Sequence, residues 1–201
     1  MANVNITQLP AVPTLKGSDE IPIARDGTST NKITLDQIQK YLTDRFQTFS
    51  TEVNATGTSI EFTDIPNTAK QITVFLDNVS TSGSSPIQIQ LGTSSGYTIA
   101  GYKSNVTTGA STTSITSGII LLYTSDASYF CTSTININLI SGSKYVTSGT
   151  SNLVNSVGGQ FVNTGTNGGI ITLNSVLDRF RITTVNGTDT FDSGTISVRW
   201  L

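Results

Sequence analysis

Apolar residues recur at every second position in most of the chain beyond residue 55, with polar residues between them. Neighbouring side chains of a β-strand point to opposite faces, so each such segment predicts a strand with one buried face. The segments are Ile60/Phe62, Ile72/Val74/Leu76, Ile87/Ile89/Leu91, Ile135/Ile137/Leu139, Phe180/Ile182 and Ile196/Val198/Trp200. Ile, Val and Thr supply 68 of the 201 residues, and β-branched side chains suit a pleated, half-buried surface. The chain is therefore predicted to be all-β.

Two further segments, residues 119–123 and 169–173, are nearly continuous apolar runs bounded by Gly and Ser. Such runs predict strands that are covered on both faces or that lie at a subunit contact. Turn signals rich in Gly, Ser and Asn separate the segments, and about nine strands result. The simplest architecture is an antiparallel, jelly-roll-like β-sandwich over residues 56–201, preceded by an extended N-terminal arm and one short α-helix.

Residues 1–33 have the composition of an extended arm. Their prolines exclude regular helix and would interrupt a central strand. Their apolar residues are too few to close a core, so they must pack either against the rest of the chain or against another protein. The predicted anchoring residues of this arm are Ile6, Leu9, Pro10, Ile21, Pro22 and Ile23.

Residues 34–49 predict an amphipathic helix. Thr34 and Gln37 have the spacing of a capping box, in which each side chain accepts a hydrogen bond from the other residue's amide. The apolar residues that follow keep to one stripe at helical spacing, and the predicted contact residues are Leu35, Ile38, Leu42 and Phe49. This stripe either packs on the chain's own sandwich or forms a helical bundle around a symmetry axis, which would make a homotrimer.

The residue content argues against most enzyme chemistries. The chain has no His and a single Cys, Cys131, so a His-dependent nucleophile, a His-ligated zinc and an intrachain disulfide are all excluded. The oxygen-rich stretch 186–192 could hold a hard cation, but a hairpin turn explains the same residues. We therefore predict no enzyme activity, no catalytic residue, no cofactor and no metal site.

The charge pattern also limits the partners. The net charge is −2 and the eleven Lys and Arg residues are scattered, so no nucleic-acid partner is predicted. No apolar run has the length of a membrane span, so no membrane insertion is predicted.

Three intervals, 92–117, 124–133 and 141–168, are rich in Ser, Thr, Asn and Gly and are predicted to be long loops. Aromatic side chains among hydroxyls and amides are typical of recognition surfaces, although such residues also pack down on a sandwich. The candidate receptor-facing residues are Tyr97, Tyr102, Tyr129, Phe130 and Tyr145.

Two parts of the sequence resemble known proteins of tailed bacteriophages. Residues 6–10 (ITQLP), 17–27 (GSDEIPIARDG) and 32–38 (KITLDQI) resemble the anchoring segment at the front of many tail fibres, tailspikes and other virion proteins. Residues 70–81 (KQITVFLDNVST), 87–92 (IQIQLG) and 177–194 (LDRFRITTVNGTDTFDSG) are similar to a β-sandwich domain that closes many phage tail-associated proteins.

This resemblance implies a non-enzymatic structural protein of a virion, more readily in the tail or neck than on the capsid surface. It implies a short homotrimeric fibre whose arm docks on a tail, neck/adaptor or capsid protein and whose sandwich faces outward, towards a host cell-surface glycan or protein. The chain has no shaft repeat and no enzymatic β-helix between arm and sandwich. A capsid decoration or head fibre, or a glycan-acting tail enzyme, are the alternatives.

Overall fold

The computed structural model describes Lys16 and residues 18–25, 29–45, 48–49, 52–122, 126–155 and 157–201. The chain forms two compact units, Met1–Gln47 and Thr48–Leu201. The first is called the N-terminal unit and the second the sandwich unit.

The N-terminal unit contains an antiparallel hairpin of β1 (Glu20–Arg25) and β2 (Ser29–Thr34). The sequence predicts an extended arm here, so the reversal into a hairpin is a correction. Pro22 is tolerated within β1 because each strand of a two-stranded hairpin has a free edge, where a missing N–H breaks no ladder bond.

The predicted capping box is confirmed at the start of helix α1 (Leu35–Arg45). The amide of Thr34 donates to Gln37 Oε1 over 2.9 Å, and the amide of Gln37 donates to Thr34 Oγ1 over 3.1 Å. The helix ends at Arg45, whereas Phe49 lies in a strand. The predicted stripe is therefore shorter than the sequence indicated, and Phe49 does not belong to it.

The sandwich unit has fourteen strands among the described residues. They are β3 (Thr48–Phe49), β4 (Val53–Asn54), β5 (Ser59–Phe62), β6 (Gln71–Thr81), β7 (Ile87–Thr93), β8 (Gly96–Tyr97), β9 (Lys103–Thr108), β10 (Ser111–Ile115), β11 (Ile119–Leu122), β12 (Tyr129–Ser141), β13 (Lys144–Asn155), β14 (Phe161–Thr172), β15 (Arg179–Thr184) and β16 (Phe191–Trp200). In the large sheet the order is β10-β9-β14-β13-β12-β6-β16-β3, and β4 also pairs with β16. In the small sheet it is β11-β7-β15-β5, with β8 beside β7. Every pairing is antiparallel, and the predicted all-β sandwich class is confirmed.

The core consists of the side chains that the alternation assigned to one face. Phe180 and Ile182 of β15 are buried together with Phe62 of β5, and the rings of Phe62 and Phe180 stack with their centroids 4.9 Å apart. In β11, Ile119, Ile120 and Leu121 are all fully buried, as expected for a strand covered on both faces. Core packing therefore follows the apolar pattern of the sequence.

The strands that the sequence missed are polar. The intervals 92–117 and 141–168, predicted to be loops, contain β8, β9, β10, β13 and most of β14. Thr, Ser, Asn and Gly occupy both faces of much of these strands, so no apolar alternation marks them. The strands β3 and β4 precede the predicted start at residue 56, and both pair with β16.

Candidate functional site

Four apolar side chains of the N-terminal unit keep part of their surface exposed. Ile21 is 42% exposed, and Ile33, Leu35 and Ile38 are half-buried. Of the other predicted anchoring and helix residues, Pro22 and Ile23 lie in β1, Leu42 lies on α1, and Ile6, Leu9 and Pro10 lie outside the described residues. The exposed parts of Ile21, Ile33, Leu35 and Ile38 are thus available to a further surface.

Two of the five candidate receptor-facing residues are structural instead. Tyr102 and Tyr145 are only 1% and 4% exposed, which corrects the prediction that they face a receptor. The Tyr102 hydroxyl accepts from the amide of Leu91 over 2.7 Å and donates to the carbonyl of Thr98 over 3.0 Å. The Tyr145 hydroxyl accepts from the amide of Leu177 over 3.1 Å. Each tyrosine hydroxyl thus forms a hydrogen bond with the backbone of another segment. The sequence pattern does not predict these hydrogen bonds.

Tyr97 lies in β8 on the outer face of the small sheet, where it stacks against Arg181. The guanidinium carbon of Arg181 is 4.5 Å from the ring centroid. Its Nε donates to Gln90 Oε1 over 2.8 Å. Gly92 lies between Tyr97 and Arg179 in the strand register. A Cβ at Gly92 would lie only 3.1 Å from the Tyr97 ring, so the ring packs closely over this glycine. Burial and the nearby Glu61 carboxylate raise the pKa of Tyr97 to about 12.

The charged side chains around Tyr97 lie next to side chains of opposite charge. Glu61 faces Arg181 in the strand register, and Arg179 pairs with Asp178 over 2.8 Å. The hydrogen bond that Arg179 Nε donates to Asp178 Oδ1 is the first cause of the raised pKa of Arg179. In the sequence, Arg181 and Gln90 are polar residues that alternate with the apolar residues of two predicted strands. This alternation is the signal that places them on the face opposite the core. Tyr97 lies beside them on that face and not at the tip of a loop.

Tyr129 lines a cavity of mixed polar and apolar character. The cavity has a volume of about 410 Å³. It is lined by Thr108, Ser111, Thr113, Tyr129, Leu153, Val162 and Asn163, from strands β9, β10, β12, β13 and β14. Phe130, the next residue, points to the opposite face of the sheet. It pairs with Val154 of β13, and Val154 pairs in turn with Phe161 of β14, which is 76% exposed. Of the five aromatic candidates, Tyr129 and Phe130 keep an accessible position beside other apolar groups.

The remaining chemical candidates have structural explanations. Cys131 is fully buried, and burial raises the pKa of its thiol to about 11, so the thiol is protonated near neutral pH. In the oxygen-rich stretch, Asp189 Oδ2 accepts from the amide of Ser85 over 2.9 Å and Asn186 Nδ2 donates to Asp189 Oδ1 over 2.7 Å. These two bonds lower the pKa of Asp189 and build a turn. Among the described residues, His, Cys, Asp and Glu form no group of three suited to a metal ion.

Within the described ranges, no helix is long and apolar enough to cross a membrane.

Comparison of the chain with protein-family models, curated proteins and solved structures found no match. The function proposed below is argued from the chain's own residues.

Proposed function

We propose that this protein is a non-enzymatic structural component of a tailed-bacteriophage virion. The N-terminal unit attaches it to a tail, neck or capsid protein, and the sandwich unit is displayed outward for contact with the host. Three copies associate through α1. The resemblance of residues 6–38 to phage anchoring segments and of residues 70–194 to a tail-associated sandwich motivates this proposal.

The observation that carries the proposal is the unburied apolar surface of the N-terminal unit. A hairpin and one helix of eleven residues are too small to enclose a core, and Ile33, Leu35 and Ile38 stay partly exposed. Apolar surface of this kind is stabilised by burial against a partner, at about 25 cal/mol per Å². The sandwich unit, by contrast, has a complete core of its own. This division supports the proposal that the first unit attaches the protein and the second is displayed.

The association of three copies is tested by sedimentation of the full chain with Ile38→Asp. The carboxylate would be buried without a partner in the helix contact, which costs several kcal/mol in order of magnitude, so we expect the trimer to dissociate. Gln39→Asp is the matched control, because Gln39 is exposed on the same helix and its variant adds the same charge. A monomeric wild-type chain would contradict the trimer, and equal dissociation of both variants would contradict the contact through the Ile38 face of α1.

The position in the particle is tested by cryo-electron microscopy of purified virions. Density for the chain on the tail or neck supports the proposed fibre, and density on the capsid lattice supports the decoration or head-fibre alternative. Absence of the chain from the particle would overturn the virion assignment itself.

A further inference from the structure

The cavity beside Tyr129 lies on the large sheet where β9, β10 and β14 adjoin. Thr108 lies opposite Ser111 of β10 on one side and opposite Gly165 of β14 on the other. Leu153 of β13 and Tyr129 of β12 also line the cavity. The volume of about 410 Å³ lies within the range of small-ligand pockets.

One buried polar atom of this cavity has no hydrogen-bond partner among the described residues. Thr108 Oγ1 is buried and has no hydrogen-bond partner in the part of the chain that the structure describes. A buried hydroxyl without a partner is unfavourable, so a ligand that bonds it gains from doing so. Asn163 Oδ1 accepts from the amide of Thr164 over 2.9 Å, which orients the carboxamide and leaves its N–H groups as donors.

The cavity is also neutral. Residues 78–177 contain only three charged side chains, Lys103, Asp126 and Lys144, and none of them lines the cavity. The two lysines line a separate cavity of about 210 Å³. Charge complementarity therefore favours an uncharged ligand at Tyr129.

We propose that this cavity binds a neutral oligosaccharide, with one sugar ring packed against Tyr129 and sugar hydroxyls bonded to Thr108 and Asn163. A sugar ring combines an apolar C–H face with hydroxyl groups that both donate and accept. An aromatic ring beside the unpaired Thr108 hydroxyl and the N–H groups of the Asn163 carboxamide matches that combination. The inference rests on the proposed function, because a sandwich displayed on a virion meets the glycans of the host surface.

The test is calorimetric titration of the full chain with maltohexaose, cellohexaose and chitohexaose. We expect at least one of them to bind, and Thr108→Val to weaken that binding roughly tenfold through the loss of one hydrogen bond. The same variant should be as stable as the wild type or more so, because it removes an unpaired buried hydroxyl. Tyr129→Leu should also weaken binding, since it keeps apolar volume but removes the ring. Thr112→Val is the control, because Thr112 lies exposed on the same hairpin with its hydroxyl 3.1 Å from Thr107.

Three results would overturn the inference. The first is that none of the three sugars binds. The second is equal affinity of the Thr108→Val and Thr112→Val variants. The third is preferential binding of hexagalacturonate that is lost with Lys103→Gln, which would place a charged ligand at the lysine cavity instead. All are measured on the free chain, so failure here is distinguishable from failure of the virion assignment, which is measured by microscopy of particles.

Discussion

Tyrosine residues with similar sequence surroundings have different roles in this protein. Tyr102 and Tyr97 are only five positions apart, and the pKa of each is raised to about 12 with burial as the first cause. The Tyr102 hydroxyl is hydrogen-bonded to the amide of Leu91 and to the carbonyl of Thr98. The Tyr97 hydroxyl is buried and has no hydrogen-bond partner in the described ranges. The contribution of a tyrosine hydroxyl to stability therefore depends on its hydrogen bonds and not on its burial alone.

Removal of the two hydroxyls should have unequal effects on stability. Tyr102→Phe leaves the buried amide of Leu91 without its acceptor, so we expect a loss of about 1–3 kcal/mol in the free energy of unfolding. Tyr97→Phe keeps the ring under Arg181 and leaves no backbone amide without its acceptor, so we expect a change within about 0.5 kcal/mol. Urea denaturation of both variants measures the difference. Equal losses would show that the Leu91 bond contributes nothing.

Tyr102 also gives stability a dependence on alkaline pH. An unfolded tyrosine loses its proton near pH 10, whereas burial keeps the folded Tyr102 protonated until about pH 12. Its contribution is therefore complete below about pH 10 and is lost as the pH rises through about 12. Between these values the wild type should lose more unfolding free energy than Tyr102→Phe, which has no titrating group at this position. Parallel curves for the two proteins would contradict the assignment.

At the scale of elements, hydrogen bonds from side chains hold one edge of β11. Among the described residues, no strand pairs with β11 at that edge. It forms one edge of the small sheet and pairs only with β7. On its other side, the amide of Ile120 donates to Ser104 Oγ over 2.9 Å. The carbonyl of Leu121 accepts from Ser151 Oγ and from Asn167 Nδ2, over 3.1 and 3.0 Å. Polar residues of the large sheet thus satisfy a buried edge that would otherwise carry unpaired backbone groups.

Ser104→Ala tests this arrangement. The buried amide of Ile120 would lose its acceptor, so we expect a destabilisation of about 1–3 kcal/mol. Amide hydrogen exchange at Ile120 should accelerate more than exchange in β12. Ser148→Ala is the matched control, because Ser148 is exposed on β13, and it should change stability by less than about 0.5 kcal/mol. Unchanged exchange at Ile120 in Ser104→Ala would contradict the role of the serine.

At the scale of the whole molecule, the sequence predicts the core better than the sheets. Alternation identifies the buried faces of β6, β7 and β15 because apolar burial drives their placement. It fails for β13 and β14, whose core-facing positions include Ser151 and Asn167, since these residues serve the β11 backbone rather than an apolar layer.

The candidate site is predicted only in part, for a related reason. The partial exposure of Tyr129 and the burial of Tyr102 depend on contacts between residues distant in the chain. The cavity itself is lined by residues of five strands, and local patterns do not encode the register that brings them together. Composition indicated that aromatic residues lie among hydroxyls, but it did not indicate which of them face outward.

The position of β16 in the large sheet has a consequence for biosynthesis. β16 lies between β6 and β3, and its Phe191 pairs with Thr81, 110 residues earlier. At translation rates of roughly 5–20 residues per second, β6 waits about 5–20 s for this partner. During that time one edge of an eleven-residue strand that includes Val74 and Leu76 is open to pairing with other nascent chains. Slower translation of the last strands lengthens this exposure, so we expect it to lower the yield of native protein unless β6 is shielded on the ribosome.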